Sequence, residues 1–357
     1  MNIIQKAKGF LFDLDGVFYL SGQPLEGAVE TLSYLRANEI PFRFLTNTTT
    51  KNRKTLKEKL DAIKLYCSED EIISAGFAGI NYLRGMGSPT CRFFISDNLK
   101  LDYVEFVEDL HSPEVVVIGD YYGWTFELLN QALEGVDKTL LLLPNSEQQL
   151  SLEKRFVDAA VKAEVKHVVK MSSMEALPEA TRTIPRMHVE SENHIKDSGL
   201  LWTMIKPNFF MQNLLGSGKT IKEQSKFFFP FENGTTAMMD VRDIGLFIAK
   251  VLTDEGHENQ NYEITGPELL SFHQVAEKFS LVLGKEINYI NVPMDAYKTT
   301  LSQFVTNEWH LDAVIDLFED IAEGGLDYTT TTFNDLTGQP PCSLQQFIEE
   351  HLFLYKD

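Results

Sequence analysis

Little in this chain suits an extracellular, membrane-spanning or nucleic-acid-binding protein. Cysteine is scarce: Cys67, Cys91 and Cys342 lie far apart and are odd in number, which excludes a disulfide framework or a regularly spaced zinc cluster. Positive charge is also short, with 32 Lys and Arg against 52 Asp and Glu, a net charge of −20. Nucleic acid and anionic membrane surfaces would be repelled. No apolar run approaches the ~20 residues that span a bilayer. The opening MNIIQKAKGF lacks the apolar core and cleavage site of a secretory leader, so a cytoplasmic setting is expected. Repeats, low-complexity tracts and Gly/Ser linkers are missing too. What remains is ordinary for a soluble globular chain: 43% hydrophobic and 24% charged residues. At ~150 residues per domain, 357 residues suggest about two domains.

The apolar pattern alternates between strand and helix. Strands are expected at Gly9–Phe12, Phe42–Leu45, Glu71–Ser74, Cys91–Ile95, Glu114–Ile118, Thr139–Leu143, His167–Met171 and Trp202–Ile205. Between them lie amphipathic segments such as Ala28–Asn38, Arg53–Ile63, Thr125–Leu133, Leu152–Ala163 and Met187–Ser198. This spacing predicts an α/β fold, a Rossmann-like parallel sheet with helices on both faces. After residue 206 the pattern loosens into helices at Val241–Thr253, Ser271–Leu283, Met294–Phe304, Asp312–Glu323 and Ser343–His351, a C-terminal helical subdomain.

The sharpest chemical signal is Asp13-Leu14-Asp15-Gly16 at the end of the first strand. Carboxylates one residue apart on a strand point the same way. One can attack phosphorus or hold a metal, and the other can exchange a proton with the leaving group. A bare turn is the bland alternative; the apolar lead-in and the downstream Thr46-Asn47 favour chemistry.

Together with FRFLTNTTTKNR, this run resembles the haloacid dehalogenase superfamily, its class IIA phospholysine, phosphohistidine and pyrophosphate phosphatases above all. The resemblance covers roughly residues 5–133, including ISAGFAGINYLRGMG and PEVVVIGDYYGWTFELLNQAL. It implies a small βαβα portion and hydrolysis of phosphate esters or anhydrides with Mg2+. Asp13 would be the nucleophile and a metal ligand, Asp15 the acid/base and a metal ligand, and Thr46 and Asn47 the phosphoryl binders. The family's lysine in a GKP-type motif and its later GDxxxTD motif do not occur in that form. Gly119-Asp120 falls inside the cap-like stretch. An attenuated activity is implied.

From about residue 134 to 357 the chain resembles the NmrA-like family, atypical relatives of the short-chain dehydrogenases. The stretches that carry this are ALEGVDKTLLLLP, VKHVVKMSSMEA, HVESENHIKDSGLLWTMIKPNFFMQNLL, MDVRDIGLFIAKVL and YEITGPELLSFHQVAEKFSLVLG. The resemblance implies an NAD(P)-binding module lacking its own glycine-rich first strand and helix. The nearest glycine pair is Gly76 and Gly79 after a strand, with Asp97 at the distance of a ribose-binding acid. A helix start inherited from the phosphatase family explains them as well. The family's Tyr-x-x-x-Lys spacing holds His188 and Glu192, read as a helix-surface pair or a proton relay. Ligands of such sheets bind beyond the carboxyl ends of the strands, which selects Pro144, Asn145, Ser172 and Ser173 as lining residues. Asn208, Phe209 and Phe210 would wall the substrate side or belong to the core.

Gly216-Ser-Gly218-Lys219-Thr220 imitates a P-loop, but Asn213 stands where the first glycine belongs. The pair Asp240 and Asp243 reads as a helix cap rather than a metal site. At the seam, NQALEGVDKTLLLLP, the alternation continues unbroken. It predicts one sheet running through the junction, with residues 1–70 as an added βαβα piece. The residues imply a two-module fusion with phosphatase chemistry first. A nucleotide-binding redox sensor or weak NAD(P)H-dependent reductase is the alternative, and a non-catalytic scaffold or engineered chimera the third. The partner would be a small phosphorylated molecule or a nicotinamide nucleotide.

Overall fold

The computed structural model describes residues 9–20, 22–119 and 125–356. Asp120 of the GD pair lies outside them. The chain divides into two compact units, Met1–Ala132 and Leu133–Asp357.

In the first unit, β1 (Phe10–Asp13), α1 (Ala28–Ala37), β2 (Phe42–Thr46), α2 (Arg53–Ala62) and β3 (Ile72–Ser74) follow one another. The strands form a parallel ladder in the order β1-β2-β3. Period-two alternation turns Phe42, Phe44 and Ile72 inward. There they meet Leu32 and Leu35 of α1 and Leu56 and Leu60 of α2 in one core. Asn52 caps α2, its side chain accepting the Thr55 N–H. Next come α3 (Ala75–Gly85), β4 (Cys91–Phe94) and β5 (Val115–Ile118), the last two paired parallel.

The second unit opens with β6 (Lys138–Leu141), α4 (Gln149–Lys162), β7 (His167–Met171), α5 (Thr183–Asp197) and β8 (Leu201–Pro207). It continues through α6 (Val241–Thr253), β9 (Gln260–Ile264), α7 (Phe272–Leu283) and α8 (Glu308–Ala322). The four strands are parallel, in the order β9-β8-β7-β6. Alternate residues serve two layers: Val169 and Ile205 pack with Ile244, Phe247 and Val251 of α6. Lys170 and Lys206, one position on, turn to the opposite face, where their side chains meet α4 and α5. A separate core of Phe227, Phe229, Phe231, Phe272 and Phe318 holds the C-terminal part together.

The expected α/β architecture is present, but each ladder lies within one unit. Among the described residues the first unit holds the ladders β1-β2-β3 and β4-β5, and the second the ladder β9-β8-β7-β6. Strand–helix alternation records the order of elements and carries no information about which strand each one bonds to. No helix of the described residues is long and apolar enough to cross a membrane.

Candidate functional site

In the first unit the parallel register sets Asp13 opposite Leu45, and Thr46 opposite Ser74. Asp13 and Thr46 therefore sit at the same, carboxyl-end edge of neighbouring strands. Gly16 makes the turn after them at φ +77°, a backbone state that glycine adopts without steric cost. Asp13, Asp15 and Asn47 are exposed, and Thr46 is half-buried. Tyr19 Oη donates to Asp15 Oδ2 at 3.0 Å, and Lys59 Nζ donates to Tyr19 Oη at 2.9 Å. Burial, with help from Asp15, pushes the Tyr19 phenol up to about 12, so it remains a donor at neutral pH. Among the described residues no group of three His, Cys, Asp or Glu gathers to hold a metal. Among the described residues the donors expected for Mg2+ are Asp13 and Asp15.

The glycine pair is not a phosphate cradle. Gly76 and Gly79 lie inside α3, and a Cβ on Gly76 would meet a Leu99 methyl at 2.5 Å. One on Gly79 would meet Tyr103 Oη at the same distance, and that hydroxyl donates to the Gly76 carbonyl at 2.8 Å. The space beside each glycine's Cα is taken by a side chain of the same unit. Both glycines let a helix pack closely, which suits the alternative of an inherited helix start. Asp97 is exposed at the start of the short helix Asp97–Lys100.

The second unit collects its polar groups at and behind the carboxyl ends of β6, β7 and β8. Pro144 and Asn145 lie in the loop after β6, exposed and half-buried respectively. Ser172 and Ser173 directly follow β7. The Ser172 N–H donates to the Ile205 carbonyl at 2.7 Å, and its hydroxyl donates to Glu192 Oε1 at 2.6 Å. Lys206 Nζ is 3.0 Å from the same Glu192 oxygen and donates to the Ala176 carbonyl at 2.8 Å. Lys196 closes on Glu192 Oε2 at 3.3 Å. Deeper, Lys170 and Glu153 form a fully buried pair at 2.7 Å, with Gln149 donating to Glu153 at 3.1 Å. Burial lowers the Lys170 pKa against the pull of Glu153.

His188 is buried, not on the surface as its helix position suggested. Burial, reinforced by the Lys170 and Lys206 ammoniums, holds its pKa well below the usual imidazole value. The ring is neutral at physiological pH, and its Nδ1 has no hydrogen-bond partner among the described residues.

Beyond this cluster lies a cavity of about 420 Å3, lined among others by Glu175, Leu177, Arg182, Pro185, Asp320 and Gly325. Its one wall is the chain leaving β7; the other is the end of α8 and the turn after it. Arg182 ties them together, bonding Glu319 at 2.5 Å, Glu323 at 2.8 Å and Asp320 as well. Partial burial works against the Arg182 charge, but these carboxylates outweigh it and raise its pKa. Burial raises the Glu175 pKa, with the Ser173 hydroxyl pulling the other way. Ser172 and Ser173 follow β7 as the strand pattern expected, while Lys206, Glu192 as a buried partner, and Arg182 were not singled out from the sequence. Asn208 is buried and accepts from Thr236 Oγ1 at 2.5 Å, while Phe209 packs edge-on against Phe231, Phe272 and Phe318. They belong to the core. Asp240 caps α6, and Asp243 accepts the Cys342 N–H at 2.7 Å.

A parallel sheet with a polar cluster and a cavity at its carboxyl ends defines a Rossmann-like α/β protein. The NmrA-like family model matches residues 102–336, and the chain belongs to that family. A model of haloacid dehalogenase-like hydrolases matches residues 10–105, so both modules are present in one chain. The NmrA-like match starts ahead of the junction read at residue 133. An NAD(P)H azoreductase of Xenophilus azovorans is 33% identical over 227 residues, 62% of this chain and 78% of that protein. Phosphoglycolate phosphatase 1A of Arabidopsis thaliana is 37% identical over 88 residues, 25% of this chain and 24% of that protein. The solved structure of an Escherichia coli NADPH-dependent quinone oxidoreductase in complex with NADPH has the same fold. Its TM-score is 0.63 at 20% identity, covering 96% of this chain and 99% of that one.

Proposed function

We propose that the second unit is a nicotinamide-nucleotide-dependent reductase module, joined to a haloacid dehalogenase-like module. The observation that carries this reading is the cavity at the carboxyl end of β7, walled by the segment that begins with Ser172 and Ser173. The azoreductase relative and the NADPH-bound neighbour support it. Asn145 and Ser173 offer amide and hydroxyl donors where a parallel sheet receives its ligand, which fits the ribose and nicotinamide end of the nucleotide, while the Ser172 N–H and hydroxyl are taken by Ile205 and Glu192. The filled Gly76 and Gly79 do not fit its pyrophosphate. The bound nucleotide would supply a hydride. The chain's part is to orient the acceptor between the Leu177 and Pro185 side of the cavity and the end of α8. A reducing compartment, the cytoplasm, is consistent with three free thiols.

The test is thermal unfolding with NADPH and with NADH. A ligand that binds only the folded state stabilises it by about 2.7 kcal/mol at a hundred times its Kd. A raised Tm with either nucleotide is expected, and no change at saturating concentrations would remove the reading.

A second reading rests on Asp13 and Thr46 meeting at one strand edge: hydrolysis of a small phosphate monoester, with the Asp13 carboxylate attacking phosphorus. The donor set does not complete a metal centre, so no step is routed through one. With p-nitrophenyl phosphate, Asp13→Asn should reduce turnover by at least the ~100-fold that nucleophile loss implies. Equal rates for the two proteins would eliminate this activity.

A further inference from the structure

We propose that the buried Glu192–Lys206 pair is the positioning device of the substrate wall. This rests on the reductase reading above. Glu192 Oε1 receives both the Ser172 hydroxyl and Lys206 Nζ, and Lys206 also holds the Ala176 carbonyl. One ion pair thus clamps both ends of the segment 172–176. Ala176 stands between Glu175 and Leu177, two residues that line the cavity. Its clamp point fixes where their side chains project.

Stability alone does not call for an ion pair here. Desolvating two charges costs about as much as their attraction returns, and a well-packed apolar pair is often equal or better. The charged pair supplies directional bonds to a hydroxyl and to a backbone carbonyl, which no apolar pair can make. Glu192 occupies the spacing at which related dehydrogenases carry a lysine. In this chain that position bonds Ser172 and Lys206, the two anchors of the segment that leads to the cavity. Lys196, one third exposed, reaches the second Glu192 oxygen and completes its coordination. Glu192 and Lys206 are positioning residues.

The experiment compares wild type with Glu192→Gln, Lys206→Met and the double variant Glu192→Leu/Lys206→Met, in which no buried charge is left unpaired. The KM for a naphthoquinone acceptor should rise about tenfold in each, with kcat within about twofold, the signature of lost acceptor binding. Lys206→Arg, which keeps the charge and the donor, should recover most of it. Amide exchange across residues 172–182 should accelerate about tenfold in Glu192→Gln and nowhere else in the sheet. An unchanged KM in the folded double variant overturns the proposal, as does a fall in kcat at constant KM. Should the wild type fail to oxidise NADPH, the reductase reading falls, and exchange decides the clamp alone. Acceleration confined to residues 172–182 upholds it, and unaltered exchange overturns it.

Discussion

Lys170 and Glu153 show at the residue scale how this protein buries charge. Both side chains are essentially inaccessible, so each depends on the other. Removing one partner of such a pair typically costs about 3–5 kcal/mol, because the survivor is left charged and unsolvated. Lys170→Met should lower unfolding stability by that amount in urea denaturation. Lys170→Met/Glu153→Leu should recover most of it, and a double variant no better than the single would refute the pairing. His188 gives the pH dependence. Its folded pKa is depressed by burial and two ammoniums, so below the unfolded value near 6.5 the unfolded chain binds the extra proton. Its contribution is present above that pH and is lost as pH falls towards the folded value. The slope approaches ~1.4 kcal/mol per pH unit. Stability measured from pH 7.5 to 5 should fall less steeply in His188→Leu than in wild type.

At the scale of elements, α5 explains what the sequence could not show. Its buried positions include Ile184, Met187, His188, Ser191, Glu192 and Ile195, a regular helical stripe. Half of that stripe is polar, so hydropathy assigns it to the surface. The helix also begins at Thr183, with Pro185 in its first turn, four residues before the apolar signal at Met187. The partners of those polar residues come from β7 and β8, at separations no local pattern encodes. By contrast, the α6 boundaries were legible to the residue, because Asp240 caps an apolar stripe that reads cleanly. The α8 start was not: Asn307 caps it one turn ahead of the expected Asp312. Backbone approach is a further feature that spacing conceals. Gly266 follows β9 so closely against its neighbour that a Cβ would lie 1.9 Å from the Met238 carbonyl oxygen. Gly266→Ala must displace main chain, and overpacking of this kind costs ~1–3 kcal/mol. A drop in chemical-denaturation midpoint of that size is expected, with the slope unchanged.

On the scale of the whole molecule, composition and motifs revealed the two modules, and the family matches agree with that division of chemistry. The motif residues fared unevenly. Asp13 and Thr46 are brought together because parallel register is readable from two adjacent apolar strands. Gly76 and Gly79 pack against Leu99 and Tyr103, and a glycine needed for close approach looks the same in sequence as one needed for a phosphate. On the reading proposed above, the second unit holds a nicotinamide nucleotide at the ends of β6 and β7. That is the central claim, and NADPH consumption in the presence of a naphthoquinone tests it most directly. The account predicts quinone-dependent oxidation with one NADPH and one proton consumed per hydroquinone formed, and a KM for the quinone that rises in Glu192→Gln. Folded wild-type protein that leaves NADPH unoxidised with the quinone at saturation would contradict it.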